Sequence, residues 1–392
     1  MLTTACAAHP ERFPAGLPHP PARPVEVWIN PPETEYQRRS LLIHVTLGQL
    51  VREGRMSNSV DQRNRREFLR GAALAGTAGL VGLRPERVLA EPPPETTRIK
   101  LVQITGICIA PQYVAEELLH AEGFTKVQYF QADAGIETAK ALAARKADIT
   151  MNFVAPFIMQ MDAGDPIVIL AGVHAGCFVL FGTERVRAVR DLKGKTVGVQ
   201  GLGSSQHVFL ASIMAHVGLD ANKDVNWATH PSAESMQLLA EGLVDAFLGF
   251  PPDPQALRAK KIGHVVVDSG VDRPWSQYFC CMVGGHREFV RTQPVATKRA
   301  VRAILKAADL CALEPQRAAR RIADRGYNYD YTLETLKEIP YSKWREYDAE
   351  DTVRFYSLRL HEAGIVKSSP NKIIAQGTDW RVLNELKKEL KG

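Results

Sequence analysis

Displaced by 97 residues, the chain matches itself in two separate blocks. Val102, Gln103 and Gly106 fall on Val199, Gln200 and Gly203. Leu142, Ala143, Asp148 and Phe153 fall on Leu239, Ala240, Asp245 and Phe250, and Thr138 and Ser235 agree in kind. In both copies a helix ends, an Asp starts a strand, and a Phe follows five residues later. One offset and one order of elements predict two similar lobes in tandem. The surrounding pattern alternates, with strands over 99–104, 127–130, 148–152 and 167–171 and helices over 111–121, 137–145 and 155–162. Such alternation is that of an α/β chain with a mainly parallel sheet.

The second copy opens on Asp191 to Ser205, a turn, a buried strand, a glycine loop and a helix start. Thr196 to Gln200 is short, β-branched and apolar, as a covered strand requires. Gly201 and Gly203 allow a tight turn, and Ser204 or Ser205 caps the helix that follows. That helix carries Leu210, Ile213, Met214 and Val217 on one face and stops at Gly218. Its amino end presents free N–H groups and the positive end of a dipole.

Two lobes in one chain require two crossings. The first is read in the apolar run Gly176–Gly182, the return in Trp275–Gly284, and the pair forms a hinge. Ligands of open α/β sheets sit beyond the carboxyl ends of the strands. The Gly106 loop then opposes the Gly203 loop, and Phe153 faces Phe250 across a cleft. Tyr278, beside the return crossing, offers a ring to stack and a hydroxyl to bond. After Gly285 the chain turns helical. Val301, Ile304, Leu305 and Ala308 line one helix and Leu383, Leu386 and Leu390 the last, a tail read as covering the first lobe.

The amino end differs. Residues 1–55 are rich in Pro and Arg and read as disordered, or as lying upstream of the true start. From Met56, the run Asn64-Arg65-Arg66-Glu67-Phe68-Leu69-Arg70 precedes thirteen uncharged residues, Gly71 to Leu83, and then Val88-Leu89-Ala90. Residues 56–90 resemble a twin-arginine export signal, which implies a periplasmic chain of about 302 residues after cleavage. The net charge of +6 splits into +4 over residues 1–90 and +2 over the rest, too little to argue for nucleic acid. No HxxxH spacing, GxSxG elbow or paired carboxylates stand out, so no metal, cofactor or catalytic residue is assigned. His207 reads as a partly exposed helical residue. Cys108, Cys177, Cys280, Cys281 and Cys311 form no CxxC and read as small buried hydrophobes, with Cys280 and Cys281 on opposite faces of a strand; one bridge in an oxidising compartment stays open, with no pair assigned.

With these parts placed, the chain resembles the periplasmic substrate-binding proteins of ABC importers, in the nitrate/sulfonate/taurine group that also holds binders of thiamine pyrimidine precursors. The resemblance is carried by Asp191-Leu192-Lys193-Gly194-Lys195-Thr196-Val197-Gly198-Val199 with its Gly-Ser loop, by Val217-Gly218-Leu219-Asp220, by Ala147-Asp148-Ile149 and by Gly242 to Ala246. It covers roughly residues 98–360. It implies an α/β two-lobe periplasmic binding protein fold, each lobe a mainly parallel sheet flanked by helices, with a hinge of two crossing strands. Residues 98–180 with 281–392 form lobe I and 181–280 lobe II. The implied partners are a small organic ligand (a sulfonate, carboxylate or heteroaromatic) and the transmembrane subunits of an ABC permease, and the chain is expected as a monomer. Ligand-facing positions carried over are Gly106, Ile107, Asn152, Phe153, Gly203, Ser204, Ser205, Phe250 and Tyr278. No lone Arg or Lys stands in those loops, which argues against a simple inorganic anion. The alternatives are an enzyme related to thiamine pyrimidine synthesis, of whose cysteine-rich loop Phe279-Cys280-Cys281 is a faint echo, and a periplasmic ligand sensor.

Overall fold

The computed structural model describes residues 91–390. The expectations for residues 1–55 and 56–90 lie outside the described residues.

The first lobe opens with β1 (Arg98–Gln103), the short helices α1 (Ala110–Val114) and α2 (Glu116–Ala121), and β2 (Lys126–Gln131). It continues through α3 (Ile136–Ala143), β3 (Ile149–Phe153), α4 (Val154–Asp162) and β4 (Ile167–Ala175). The chain then crosses into β5 (Val179–Gly182), β6 (Lys195–Val199), α5 (Ser205–His216) and β7 (Val225–Thr229). α6 (Ser232–Ala240), β8 (Ala246–Gly249), α7 (Asp253–Lys260) and β9 (His264–Asp268) complete the second lobe. The chain returns through β10 (Phe279–His286) into seven helices: α8 (Arg287–Thr292), α9 (Pro294–Leu313), α10 (Pro315–Ala323), α11 (Tyr329–Glu338), α12 (Ala349–Glu362), α13 (Pro370–Gly377) and α14 (Arg381–Glu389).

The second sheet runs β7-β6-β8-β5-β9. In the first lobe β1 pairs with β2, and β10 lies between β3 and β4. The two lobes share one plan. In each, the crossing strand inserts antiparallel between two strands of the lobe it enters: β5 between β8 and β9, β10 between β3 and β4. Each crossing is thereby locked into a sheet by backbone hydrogen bonds on both sides. The segments meet at the hinge, where the Cys177 and Phe178 N–H groups both donate to Ser269 Oγ, at 3.0 and 2.9 Å. A Cβ on Gly176 would lie 2.3 Å from Gly270 Cα, so the crossing needs glycine there.

The repeated residues do repeated work. Asp148 N donates to Lys100 O, and the Lys100 N–H returns a bond to the Asp148 carboxylate, both at 2.8 Å. Asp245 does the same with Thr196, at 2.8 and 2.9 Å. Each Asp fastens the start of its strand to the neighbouring strand. Thr138 Oγ1 donates to Asp133 O, and Ser235 Oγ to His230 O, tying down corresponding helix starts.

Two expectations are corrected. Cys280 and Cys281 do not leave opposite faces: the β4–β10 ladder is irregular at these residues, and such a bulge lets successive side chains share a face. Both thiols reach the same cluster, described below. The carboxyl-terminal helices also do more than cover the first lobe. The Arg258 guanidinium of α7 bonds Glu338 of α11 at 2.7 Å, and Arg359 of α12 meets His216 of α5 at 3.0 Å. The tail therefore reaches the second lobe from two sides.

Candidate functional site

The carboxyl ends of β1, β3, β6 and β8 converge where the lobes meet. The turn after β1 is pinned by tyrosines: Tyr113 Oη donates to Ile104 O at 2.7 Å and Tyr327 Oη to the same oxygen at 3.0 Å. Gly106 sits against lobe II, since a Cβ there would lie 2.8 Å from Phe250 Cε2. The Ile107 N–H donates across the divide to Pro251 O at 3.0 Å.

A second bridge joins the loop before α3 to the glycine-serine loop. Gly135 pairs with Ser204, and the Ile136 N–H donates to Gly203 O at 3.3 Å. Gly135 has φ +110°, and a Cβ there would fall 2.6 Å from Ser205 N, so only glycine permits this approach. Asn152, buried at the end of β3, holds the same loop: its Oδ1 accepts from Gly135 N and its Nδ2 donates to Gly135 O at 2.9 Å. It positions the bridge through its backbone. Ser204 is the amino cap of α5, its side chain accepting from His207 N at 3.3 Å. The Gly203 N–H is committed to His207 Nδ1 at 3.2 Å, and burial lowers the basicity of that imidazole.

Between the bridges lies a buried aromatic cluster. Phe178, the residue before β5, stands at its centre. It stacks on Phe209 of α5 at 4.6 Å and meets Phe153 and Phe250 edge-on at 5.1 and 6.1 Å. Phe153 and Phe250 thus approach from opposite lobes with Phe178 between them. Tyr278 is not drawn into this group. Its ring lies flat on Phe355 of α12, with centroids 3.9 Å apart.

Two features escaped the sequence reading. Gln206, in the first turn of α5, is fully buried, and neither its Oε1 nor its Nε2 has a hydrogen-bond partner in the protein. Leaving such a polar atom unpaired costs about 1–3 kcal/mol. The other is an inter-lobe recess of about 210 Å³ beside the hinge, lined among others by Cys177, Pro251, Gln255, Asp268, Glu338 and Pro340. Its charged lining side chains are both carboxylates. Burial pushes the Asp268 carboxyl up. Gln255 Nε2 donates to Glu338 at 2.9 Å, while its buried Oε1 has no partner. Neither residue lies in the repeated blocks; an unpaired amide can be recognised only once its surroundings are known.

The profile of the NMT1-like family matches residues 92–325. The chain belongs to the NMT1-like family. No curated protein matches it by sequence. Solved structures show what this NMT1-like chain is similar to in fold. The periplasmic nitrate-binding protein NrtA of Synechocystis PCC 6803 shares 16% identity at a TM-score of 0.63, over 76% of this chain and 90% of that one. The alkanesulfonate-binding protein SsuA of Xanthomonas axonopodis pv. citri, bound to MOPS, shares 18% identity at 0.59, over 71% and 96%. The periplasmic aliphatic sulphonate-binding protein SsuA of Escherichia coli shares 19% at 0.58, over 71% and 91%. Family and fold agree with the resemblance read from the sequence, to the nitrate/sulfonate/taurine type of periplasmic binding protein. The NMT1-like chain has the two-lobe α/β fold of these proteins.

Proposed function

We propose that the chain is an extracytoplasmic solute-binding protein that takes a small organic ligand between its lobes and delivers it to an ABC-type permease. The observation that carries this reading is the pair of inter-lobe bridges, Ile107 to Pro251 and Gly135 to Ser204, made by the strand-end loops expected to face a ligand. When the lobes part, the Ile107 N–H, the glycine-serine loop and the faces of Phe153 and Phe250 are freed together. The solved relatives named for nitrate and alkanesulfonate binding support a small solute as cargo.

Gly106, Ile107, Phe153, Ser204, Ser205 and Phe250 line the ligand's path in this reading, and Asn152 and Gly203 shape the loops. Tyr278 joins them only if Phe355 releases it. Gln206 supplies the missing polar anchor, with a donor and an acceptor on one amide. The recess is smaller than the ~300 Å³ at the low end of ligand pockets; Glu338 is paired with Arg258, and the Asp268 carboxyl disfavours an anion beside it. The Asp268 carboxyl and the unpaired Gln206 amide favour a heteroaromatic solute with ring N–H or amino donors over a sulfonate or carboxylate.

Calorimetry with a panel of sulfonates, aromatic carboxylates and pyrimidines tests this, with mass spectrometry of the recovered solute. One-to-one binding of a pyrimidine-type solute, returned unchanged, is expected. A converted solute would favour an enzyme, and no binding from any class would sink the reading. Gln206→Leu should weaken the hit at least tenfold while stabilising the unliganded protein by about 1 kcal/mol, as removal of an unpaired buried amide predicts. Export through residues 56–90 is part of the proposal. Replacing Arg65 and Arg66 by Lys should leave the protein inside the cell on fractionation, and unaltered export would count against the signal.

A further inference from the structure

Four of the five cysteines in the described part converge at the hinge. Cys108 comes from the turn after β1, Cys177 from the first crossing and Cys281 from β10, and all three are buried. Their sulfurs lie within 4.8 Å of one another. Cys280 joins from the bulge, its sulfur 3.1 Å from that of Cys177. Cys311 stands in α9, outside this group. Three thiolates on one tetrahedral ion, at about 2.3 Å each, lie about 3.8 Å apart. The trio needs only a small contraction to reach that geometry.

A second observation points to a ligand. His174 stands opposite Cys281 in the β4–β10 ladder. Its ring is fully buried. Nδ1 lies 3.3 Å from Ala175 O. A carbonyl oxygen only accepts, so Nδ1 carries a proton, and in the neutral ring Nε2 keeps its lone pair. That Nε2 has no partner in the protein. A metal-binding imidazole is fixed in this way, with one nitrogen held by a carbonyl and the other presented. Packing alone accounts for buried thiols but leaves this lone pair unexplained.

We propose that Cys108, Cys177 and Cys281 form a three-thiol binding site for a thiophilic cation of the zinc class, with His174, outside the trio itself, as the side chain that would shift in to fill the fourth position. Sulfur and imidazole donors suit such an ion, whereas magnesium and calcium require oxygen ligands. Each thiol that ligates releases its proton to solvent. The ion would join the β1 turn, the first crossing and β10, pinning the hinge at its floor. This site is independent of the solute reading and needs no solute to form.

The test uses the full chain, reduced, stripped with chelator and then given Zn(II) or Cd(II) alone. One Zn(II) per chain should survive desalting, and Cd(II) should give an ultraviolet thiolate charge-transfer band of three-sulfur intensity. Both should vanish in the Cys108→Ser/Cys281→Ser double variant and persist in Cys311→Ser. His174→Ala should weaken Zn(II) binding about tenfold or more while keeping the band. If the double variant fails to fold by circular dichroism, the Cd(II) band of the unaltered protein and of Cys311→Ser still decides. No retained ion and no band would overturn the site, as would full retention in a folded double variant. Unchanged affinity in His174→Ala would remove the fourth ligand.

Discussion

Single residues in this protein are chosen for what their atoms must avoid as much as for what they touch. Asp253, at the first turn of α7, is the sharpest case. Burial disfavours its charge and raises its pKa from 3.8 to about 7. The folded state therefore holds a proton that the unfolded chain releases near pH 4. Stability from this group is complete below that pH and is lost as pH rises toward 7, by up to about 4 kcal/mol. Asp253→Asn should flatten the dependence of melting temperature on pH between 4 and 7 and make the variant the more stable at pH 8. Parallel melting curves for the two proteins would show that the carboxylate is solvated after all. Nothing in the sequence marks Asp253, because a helix-start Asp is ordinarily exposed; the tight approach of Gly249, whose added Cβ would sit 2.8 Å from Asp253 Cβ, is what shuts it in.

At the scale of elements, much was legible because the same device was used twice. Asp148 and Asp245 recur at one offset since each ties the start of a strand to its neighbour, and Thr138 and Ser235 since each fastens a helix start. Helix α5 spans Ser205–His216, close to the extent its sequence pattern predicts, but its surroundings differ. Its apolar residues suggested one buried face, yet Val208 to Met214 are buried on every side, because the helix lies between its own sheet and helices α4 and α12 of the other lobe. A helix buried all round loses its amphipathic signature, so its pattern could not announce the contact with the other lobe. The crossing strand hid a further role. Phe178 sits inside an apolar run that reads simply as a strand, while in space its ring joins Phe153, Phe209 and Phe250. Phe178→Ala should cost about 3–5 kcal/mol, seen as an earlier denaturation midpoint. A loss below about 1 kcal/mol would mean that the aromatic cluster does not hold the lobes together.

Over the whole molecule, the internal repeat announces two lobes, and the crossing strands explain why they stay one unit: each crossing strand pairs on both sides with strands of the lobe it enters. The carboxyl-terminal helices add what no repeat could announce, since they have no second copy. Arg258 with Glu338 and Arg359 with His216 clasp the lobes at two edges, while Ile107 and Gly135 bridge them at the centre. We propose that a solute is taken up at that centre by closure. Gly135→Val tests it most directly, because a side chain at φ +110° and 2.6 Å from Ser205 N cannot coexist with the closed bridge. Small-angle scattering, with calorimetry on the best solute of the panel, should find the variant folded, larger in radius of gyration than the unaltered protein, and weaker for the solute by tenfold or more. An unchanged radius together with unchanged affinity would contradict the claim that solute is held where the two lobes meet.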